Sequence, residues 1–118
     1  MQRETINKLS NSLNEIRNVK DISTFVIVKR DDTSLWDIII GGSNLDTQEN
    51  LVQIANIIKK HLIPNELRDF SRIVLLNSTD NFINNLRRTF SVEHGDMELQ
   101  NAQINNIFIK HAYLLFSK

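Results

Sequence analysis

The sequence predicts a single α/β (α+β) domain over residues 1–118, with a mixed five-stranded sheet and three helices. Apolar residues recur at helical spacing in three separate segments, and short β-branched runs stand between those segments. Glycine and proline, at three and one, are too scarce for long disordered linkers. A chain of 118 residues has room for one ordinary domain with its own buried core. The predicted order of elements is α-β-β-α-β-α-β-β.

The first helix and the first hairpin have clear patterns. A helix is predicted over roughly residues 4–20, because apolar side chains recur there every three or four positions: Ile6, Leu9, Leu13, Ile16 and Val19. Segments 25–30 (FVIVKR) and 35–41 (LWDIIIG) are rich in β-branched and aromatic residues, and turn residues separate them. They form a predicted β-hairpin in which Trp36 pairs with Lys29.

A second helix is predicted over about residues 46–62, and Pro64 follows its end. The segment PNELRDF that starts at Pro64 offers one further helical turn. The continuous apolar run at 71–76 (SRIVLL) predicts a strand that is covered on both faces and is therefore central in the sheet.

The rest of the chain is predicted as one helix and a second hairpin. The helix covers residues 82–90 (FINNLRRTF). Strands at 91–100 and 104–118 are joined by a polar loop whose centre is predicted near residues 102–103.

Composition excludes several classes of function. The chain has no cysteine, which excludes disulfides, thiol catalysis and cysteine zinc sites. Its 14 basic and 14 acidic residues give a net charge of zero, so no overall field attracts nucleic acid or anionic lipid. No apolar run approaches the ~20 residues of a membrane span, and MQRETINKLS has no apolar core of the signal-peptide kind. A soluble cytoplasmic protein is expected, without membrane or nucleic-acid partners.

The segment EHGDME at 93–98 raises the possibility of a metal site. His94, Asp96 and Glu98 share one face of the predicted strand, where residues two apart lie about 6.6 Å apart. With the hairpin centred near 102–103, His94 lies across from His111. The resulting candidate ligands for a divalent metal are His94, Asp96 and His111, which would serve a hydrolase or phosphoesterase, with Asp37 as a further acid. The alternative is a solvated sheet face.

The same predicted face carries apolar residues that a monomer should not leave bare: Ile107, Ile109 and Tyr113. They predict contact with a second copy, with another protein or with the first helix. This face, the zero net charge and the lack of a catalytic motif favour a non-enzymatic interaction or regulatory domain that forms a homodimer.

A second candidate site lies where two strands end. The loops GGSN (41–44) and NSTD (77–80) share one edge of the sheet if their strands are parallel. Backbone N–H groups and hydroxyls there could bind a small anion or a nucleotide, which makes the candidate ligand-binding residues Gly41, Gly42, Ser43, Ser78 and Thr79. The loops lack the pattern of a P-loop, and ordinary turn and capping chemistry is the alternative.

The predicted order of elements is similar to that of small α/β modules of the profilin and roadblock type. In those modules a sheet, or a helix laid on it, mediates dimerisation. The similarity lies in element order alone and therefore implies no site residue in this chain.

Overall fold

The computed structural model describes residues 1–104 and 106–118. The described elements, in chain order, are α1 (Arg3–Arg17), β1 (Ile22–Lys29), β2 (Trp36–Gly42), α2 (Gln48–His61), α3 (Pro64–Leu67), β3 (Phe70–Asn77), α4 (Asn81–Thr89), β4 (Met97–Ile104) and β5 (Ile107–Ser117). The predicted fold class is confirmed: the five strands form one mixed sheet, and the additional α3 is the single turn that follows Pro64.

The strands lie in the order β3-β2-β1-β5-β4. β1 and β2 form the predicted antiparallel hairpin, in which Lys29 pairs with Trp36. α2 and α3 then connect β2 to β3, which is parallel to β2. α4 carries the chain from β3 at one edge to β4 at the other, and β5 returns between β4 and β1. Both edges of the sheet are therefore strands that enter or leave α4.

The core on one face of the sheet, the α1/α2 core, is formed by two amphipathic helices. Leu9 and Ile16 of α1 and Ile54 of α2 are completely buried against strand residues such as Phe25 and Ile40. Thr47 begins α2 by accepting a hydrogen bond from the backbone N–H of Asn50 at 3.1 Å. Burial of one apolar stripe per helix is what stabilises helices of this length in a small domain.

The core on the opposite face, the α4 core, contains Leu86 of α4 and the apolar residues of β5 and β4. Its buried members are Val26, Leu86, Val92, Leu99, Ile104, Ile109, Ala112 and Leu114. α4 begins at Asp80, whose side chain accepts a hydrogen bond from the N–H of Phe82 at 2.8 Å. The sheet is therefore covered on both sides, but α4 is a helix of only nine residues.

The prediction that the apolar run at 71–76 is a central strand is wrong, because β3 is an edge strand. None of its residues is fully buried, and Ser71 and Arg72 are exposed. A continuous apolar run indicates two apolar faces, but it does not indicate a strand neighbour on each side.

The predicted register of the last hairpin is also wrong. The last pair before the turn is Ile104 with Ile107, so the turn lies beyond residues 102–103. His111 consequently lies opposite Gln100 and not opposite His94. β4 begins only at Met97, and residues 93–95 form a bend in which Gly95 has a φ of 76°. Glycine adopts that backbone conformation without strain, which explains why the strand does not extend back to His94.

In the part of the chain that the structure describes, every helix is too short or too polar to cross a lipid bilayer.

Candidate functional site

The predicted metal ligands are not brought together. His94 lies in the bend before β4, whereas Asp96 forms an ion pair with Arg3 of α1, with Oδ2 2.5 Å from Nη1. His111 is a residue of β5 whose Nε2 lies 2.8 Å from Oε2 of Glu98. Among residues 1–104 and 106–118, no three histidine, aspartate or glutamate side chains are grouped as metal ligands. Within the segment EHGDME, Asp96 instead forms an ion pair that holds the start of α1, and Glu98 forms a hydrogen bond that orients His111.

An aromatic cluster surrounds His111. Its imidazole ring lies 5.0 Å from the ring of Trp36 and 5.2 Å from the ring of Tyr113, between centroids. The hydrogen bond from His111 lowers the pKa of Glu98, with a smaller effect from Gln100. Burial raises the pKa of the Tyr113 hydroxyl, and the nearby Glu98 charge raises it further. The cluster joins β2 to β5 through ring contacts.

The three residues of the predicted interface have no common exposed surface. Ile109 is 2% exposed and packs in the α4 core, whereas Tyr113 is 7% exposed and packs in the α1/α2 core. Ile107 is half buried beside the α4 core. The β4–β5 ladder skips the pair between Asn101 and Lys110, and Asn101 has a φ of 51°. This kink directs Ile109 into the same core as Ala112 and closes the face expected to be bare.

The two strand-end loops do lie side by side, as predicted from a parallel pair. Gly42 pairs with Asn77, and the N–H of Ser78 donates to the carbonyl of Gly42 at 2.9 Å. Thr79 is exposed, and its N–H donates to Oδ1 of Asn77. These two amide groups are thus used by the loops themselves, and the hydroxyl of Ser78 also donates to Oδ1 of Asn77 at 3.3 Å.

Gly41 and Gly42 are packed against other parts of the chain on the side where a Cβ would lie. A Cβ on Gly41 would lie 2.7 Å from Cδ1 of Ile83, and a Cβ on Gly42 would lie 2.2 Å from the carbonyl oxygen of Asp21. On the Cβ side of Gly41 and Gly42 the space is therefore occupied by Ile83 of α4 and by the residue before β1.

A pocket of about 540 Å³, the strand-end pocket, opens beside these loops. Two of the predicted ligand-binding residues, Ser43 and Ser78, line it, together with Arg17 and Arg87, which the sequence did not place at these loops. The remaining lining residues are Asp21, Ile22, Ser23, Phe116 and Lys118. Arg17 ends α1 and Arg87 lies in the last turn of α4, so only the tertiary fold brings them to the loops.

The free edge of β3 is the second candidate site. β3 pairs with β2 on one side and has no partner strand on the other among the described residues. Four consecutive aliphatic residues, 73–76, are half-buried along it. Ile73 and Leu75 pack beside the α1/α2 core, whereas Val74 and Leu76 belong to neither core. Such an edge presents unpaired backbone N–H and C=O groups flanked by apolar side chains.

The opposite edge of the sheet, β4, has the features that normally prevent strand pairing. It carries exposed Glu98 and Gln100, and the left-handed conformation of Asn101 interrupts it. Charge and a local kink are two of the devices by which natural sheets block edge-to-edge association. On β3 the only charged residue is Arg72, near one end, so the two edges of this sheet differ sharply.

An apolar groove of about 380 Å³ runs beside the free edge, between α2 and β3. Its apolar lining consists of Ile38, Leu51, Ala55, Ile58, Leu67, Phe70 and Ile73. Val52, on the same helix, is 52% exposed. The apolar surface therefore continues from the strand onto α2.

Compared with known protein families, curated proteins and solved structures, the chain gives no match. Its function is therefore inferred from its own surfaces.

Proposed function

We propose that this protein is a non-enzymatic interaction domain that forms a homodimer through the free edge of β3. The observation that carries the proposal is the contrast between the two sheet edges, since β4 is charged and kinked, whereas β3 is aliphatic at 73–76 and pairs regularly with β2 from Arg72 to Asn77. The partner that best satisfies an unpaired strand is another strand, which supplies backbone hydrogen bonds and covers alternate side chains. A second copy of β3 provides both.

The pairing follows from symmetry. An antiparallel pair with its twofold axis perpendicular to the sheet places residues of the same face opposite one another. With the axis at Val74, Ile73 of one copy lies opposite Leu75 of the other, and Val74 lies opposite itself. Val74 and Leu76, which are half-buried and belong to neither core, then pack across the interface.

Electrostatics do not oppose this arrangement. The two copies of Arg72 lie about 13 Å apart along the strands, because they are four residues apart at roughly 3.3 Å per residue. That distance exceeds the Debye length of about 10 Å at 0.1 M salt. Each Arg72 is also neutralised within its own chain, with Nε 3.1 Å from Oδ2 of Asp37. The zero net charge adds no general repulsion.

The first test is the oligomeric state of an edge variant. We expect the wild-type protein to sediment at twice the 13.7 kDa mass of the chain and Val74→Lys to sediment as a monomer. Lysine at a half-exposed edge position keeps its stem on the apolar surface and its charge in water, so the fold survives. Circular dichroism checks that fold, and Leu76→Lys replaces the variant if it fails.

The matched control is Gln100→Lys, which adds the same charge to the opposite edge. We expect it to remain dimeric. A wild-type protein that stays monomeric at about millimolar concentration, or a Val74→Lys variant that stays dimeric, would contradict the proposal.

The second test determines the register. The chain has no cysteine, so Val74→Cys carries a single thiol. On the twofold axis its Cα lies about 4.5–5.5 Å from its copy, within the range that a disulfide bridges. We expect mild oxidation to cross-link Val74→Cys quantitatively. Two control variants should cross-link only by collision. Leu76→Cys lies about 13 Å from its copy, and Val19→Cys is exposed just after the end of α1. Equal cross-linking of the three variants would exclude this register.

A further inference from the structure

The strand-end pocket combines cationic side chains from both ends of the chain. Arg17, Arg87 and Lys118 line it, and Asp21 is the one carboxylate side chain in its lining. Nζ of Lys118 also lies 3.3 Å from a carboxylate oxygen of Glu93. The volume of about 540 Å³ is within the usual range of small-molecule sites and larger than a bare inorganic ion requires.

Arg17 is held by an aromatic ring and not by a counter-ion. Its guanidinium carbon lies 4.1 Å from the centroid of the Phe116 ring, and Phe116 is itself buried. A guanidinium stacked in this way keeps the N–H groups at its edge available for an anion. In the described residues no carboxylate lies within ion-pair distance of Arg17, whereas Arg3 and Arg72 each contact one.

Arg87 is positioned by the main chain. Its Nε donates to the main-chain oxygen of Lys118 at 2.7 Å. Its two terminal nitrogens have no acceptor within the described part of the protein. Two guanidinium groups are thus fixed by a ring and by a main-chain oxygen, with donors left over, at the rim of one pocket.

We propose that the strand-end pocket binds the phosphoryl group of a small phosphorylated molecule between Arg17 and Arg87. Guanidinium forks match phosphate oxygens in pairs, and Ser43 adds a hydroxyl group to the lining of the same pocket. The excess pocket volume accommodates the rest of the molecule. This site lies beyond the ends of β2 and β3 and away from the middle of the β3 edge, so it is independent of dimerisation.

The test compares two neighbouring arginines on α4. Inorganic phosphate, ribose 5-phosphate and ribose are titrated calorimetrically into the full chain and into Arg87→Gln, Arg17→Gln and Arg88→Gln. Arg88 is exposed and does not line the pocket, so its variant matches the charge change of Arg87→Gln. We expect both phosphates to bind and ribose not to bind. Arg87→Gln and Arg17→Gln should weaken binding at least tenfold, about 1.4 kcal/mol, and Arg88→Gln less than twofold.

Equal losses in Arg87→Gln and Arg88→Gln would show non-specific attraction and overturn the site, as would the absence of saturable phosphate binding to wild-type protein. Binding of inorganic phosphate but not of ribose 5-phosphate would overturn the assignment to a phosphorylated molecule. The oligomeric state of each variant is measured in parallel, because the proposal requires it to be unchanged.

Discussion

Replacement of Gly41 by alanine is the most direct test of how β2 and α4 are packed. The added Cβ would lie 2.7, 2.9 and 3.0 Å from Cδ1, Cγ1 and Cγ2 of Ile83. Ordinary contacts between carbon atoms are about 3.5–4.0 Å, so three carbons of a completely buried side chain overlap the new methyl group by roughly half an ångström to one ångström. Overpacking of this kind costs about 1–3 kcal/mol of the free energy of unfolding.

A double-mutant cycle with Ile83→Ala isolates this overlap. Ile83→Ala alone removes buried carbon atoms and should cost about 2–5 kcal/mol. In that background the new methyl group of Gly41→Ala enters the vacated space, so its own cost should fall to about zero or become a small gain. The expected coupling between the two sites is therefore about 1–3 kcal/mol in the favourable direction.

Urea denaturation of the four proteins measures the cycle, and the Gly41→Ala midpoint of thermal unfolding should fall by about 5–10 °C. An equal cost of Gly41→Ala in both backgrounds would refute the packing of Ile83 over Gly41. A Gly41→Ala protein as stable as the wild type would mean that the space on the Cβ side of Gly41 is open.

Three further predictions concern stability. Phe25→Ala removes a completely buried ring from the α1/α2 core and should cost about 3–5 kcal/mol in urea denaturation; a loss below about 1 kcal/mol would contradict that burial. Arg72→Ala leaves the buried carboxylate of Asp37 without its hydrogen-bond donor and should cost about 1–3 kcal/mol of the free energy of unfolding. The cost should lie towards the lower end, because the Arg72 side chain is 61% exposed. If the unpaired carboxylate is the cause, Arg72→Ala should cost less in the Asp37→Asn background. The lowered pKa of Glu98 stabilises the fold above the ordinary glutamate value of 4.5, and this stabilisation is lost as the pH falls through the lowered value. Glu98→Gln should therefore reduce the fall of the urea midpoint below pH 4.5, and an unchanged slope would contradict the His111–Glu98 hydrogen bond.

The element types and their order were predictable because they depend on local periodicity. The apolar spacing of α1 and α2 and the β-branched strands of the first hairpin each indicate one structure within a short window. The proximity of the loops at Ser43 and Ser78 followed from the same reasoning, since it requires only that β2 and β3 are parallel.

Strand position and register were not predictable, because they depend on distant partners. The aliphatic residues of β3 indicate apolar faces, whether those faces are covered by the same chain or by another one. In the last hairpin the segment 101–106 offers several asparagines as turn residues, and the sequence does not choose among them. The displaced turn moved His111 away from His94 and removed the expected metal site.

The strand-end pocket was also not predictable from the sequence, because only the tertiary fold brings its residues together. Arg17 and Arg87 lie in the last turns of two helices, where basic residues are common because they complement the helix dipole. That local explanation is sufficient for each residue separately. Their shared position is visible only after β5 brings Phe116 beside Arg17.

The central place of β5 has a consequence for how the chain is made. During translation β1, β2 and β3 leave the ribosome before β5, yet the free side of β1 is filled only by β5, the last of the described strands in chain order. A nascent chain that stops before residue 107 therefore leaves one side of β1 unpaired, and it lacks three of the eight buried residues of its α4 core, Ile109, Ala112 and Leu114. Contacts of such long sequence separation slow folding and prolong exposure of apolar strands. Chains interrupted in this segment should consequently aggregate during synthesis, whereas chains that contain β5 cover the free side of β1 and leave β3 and β4 as the edges of the sheet.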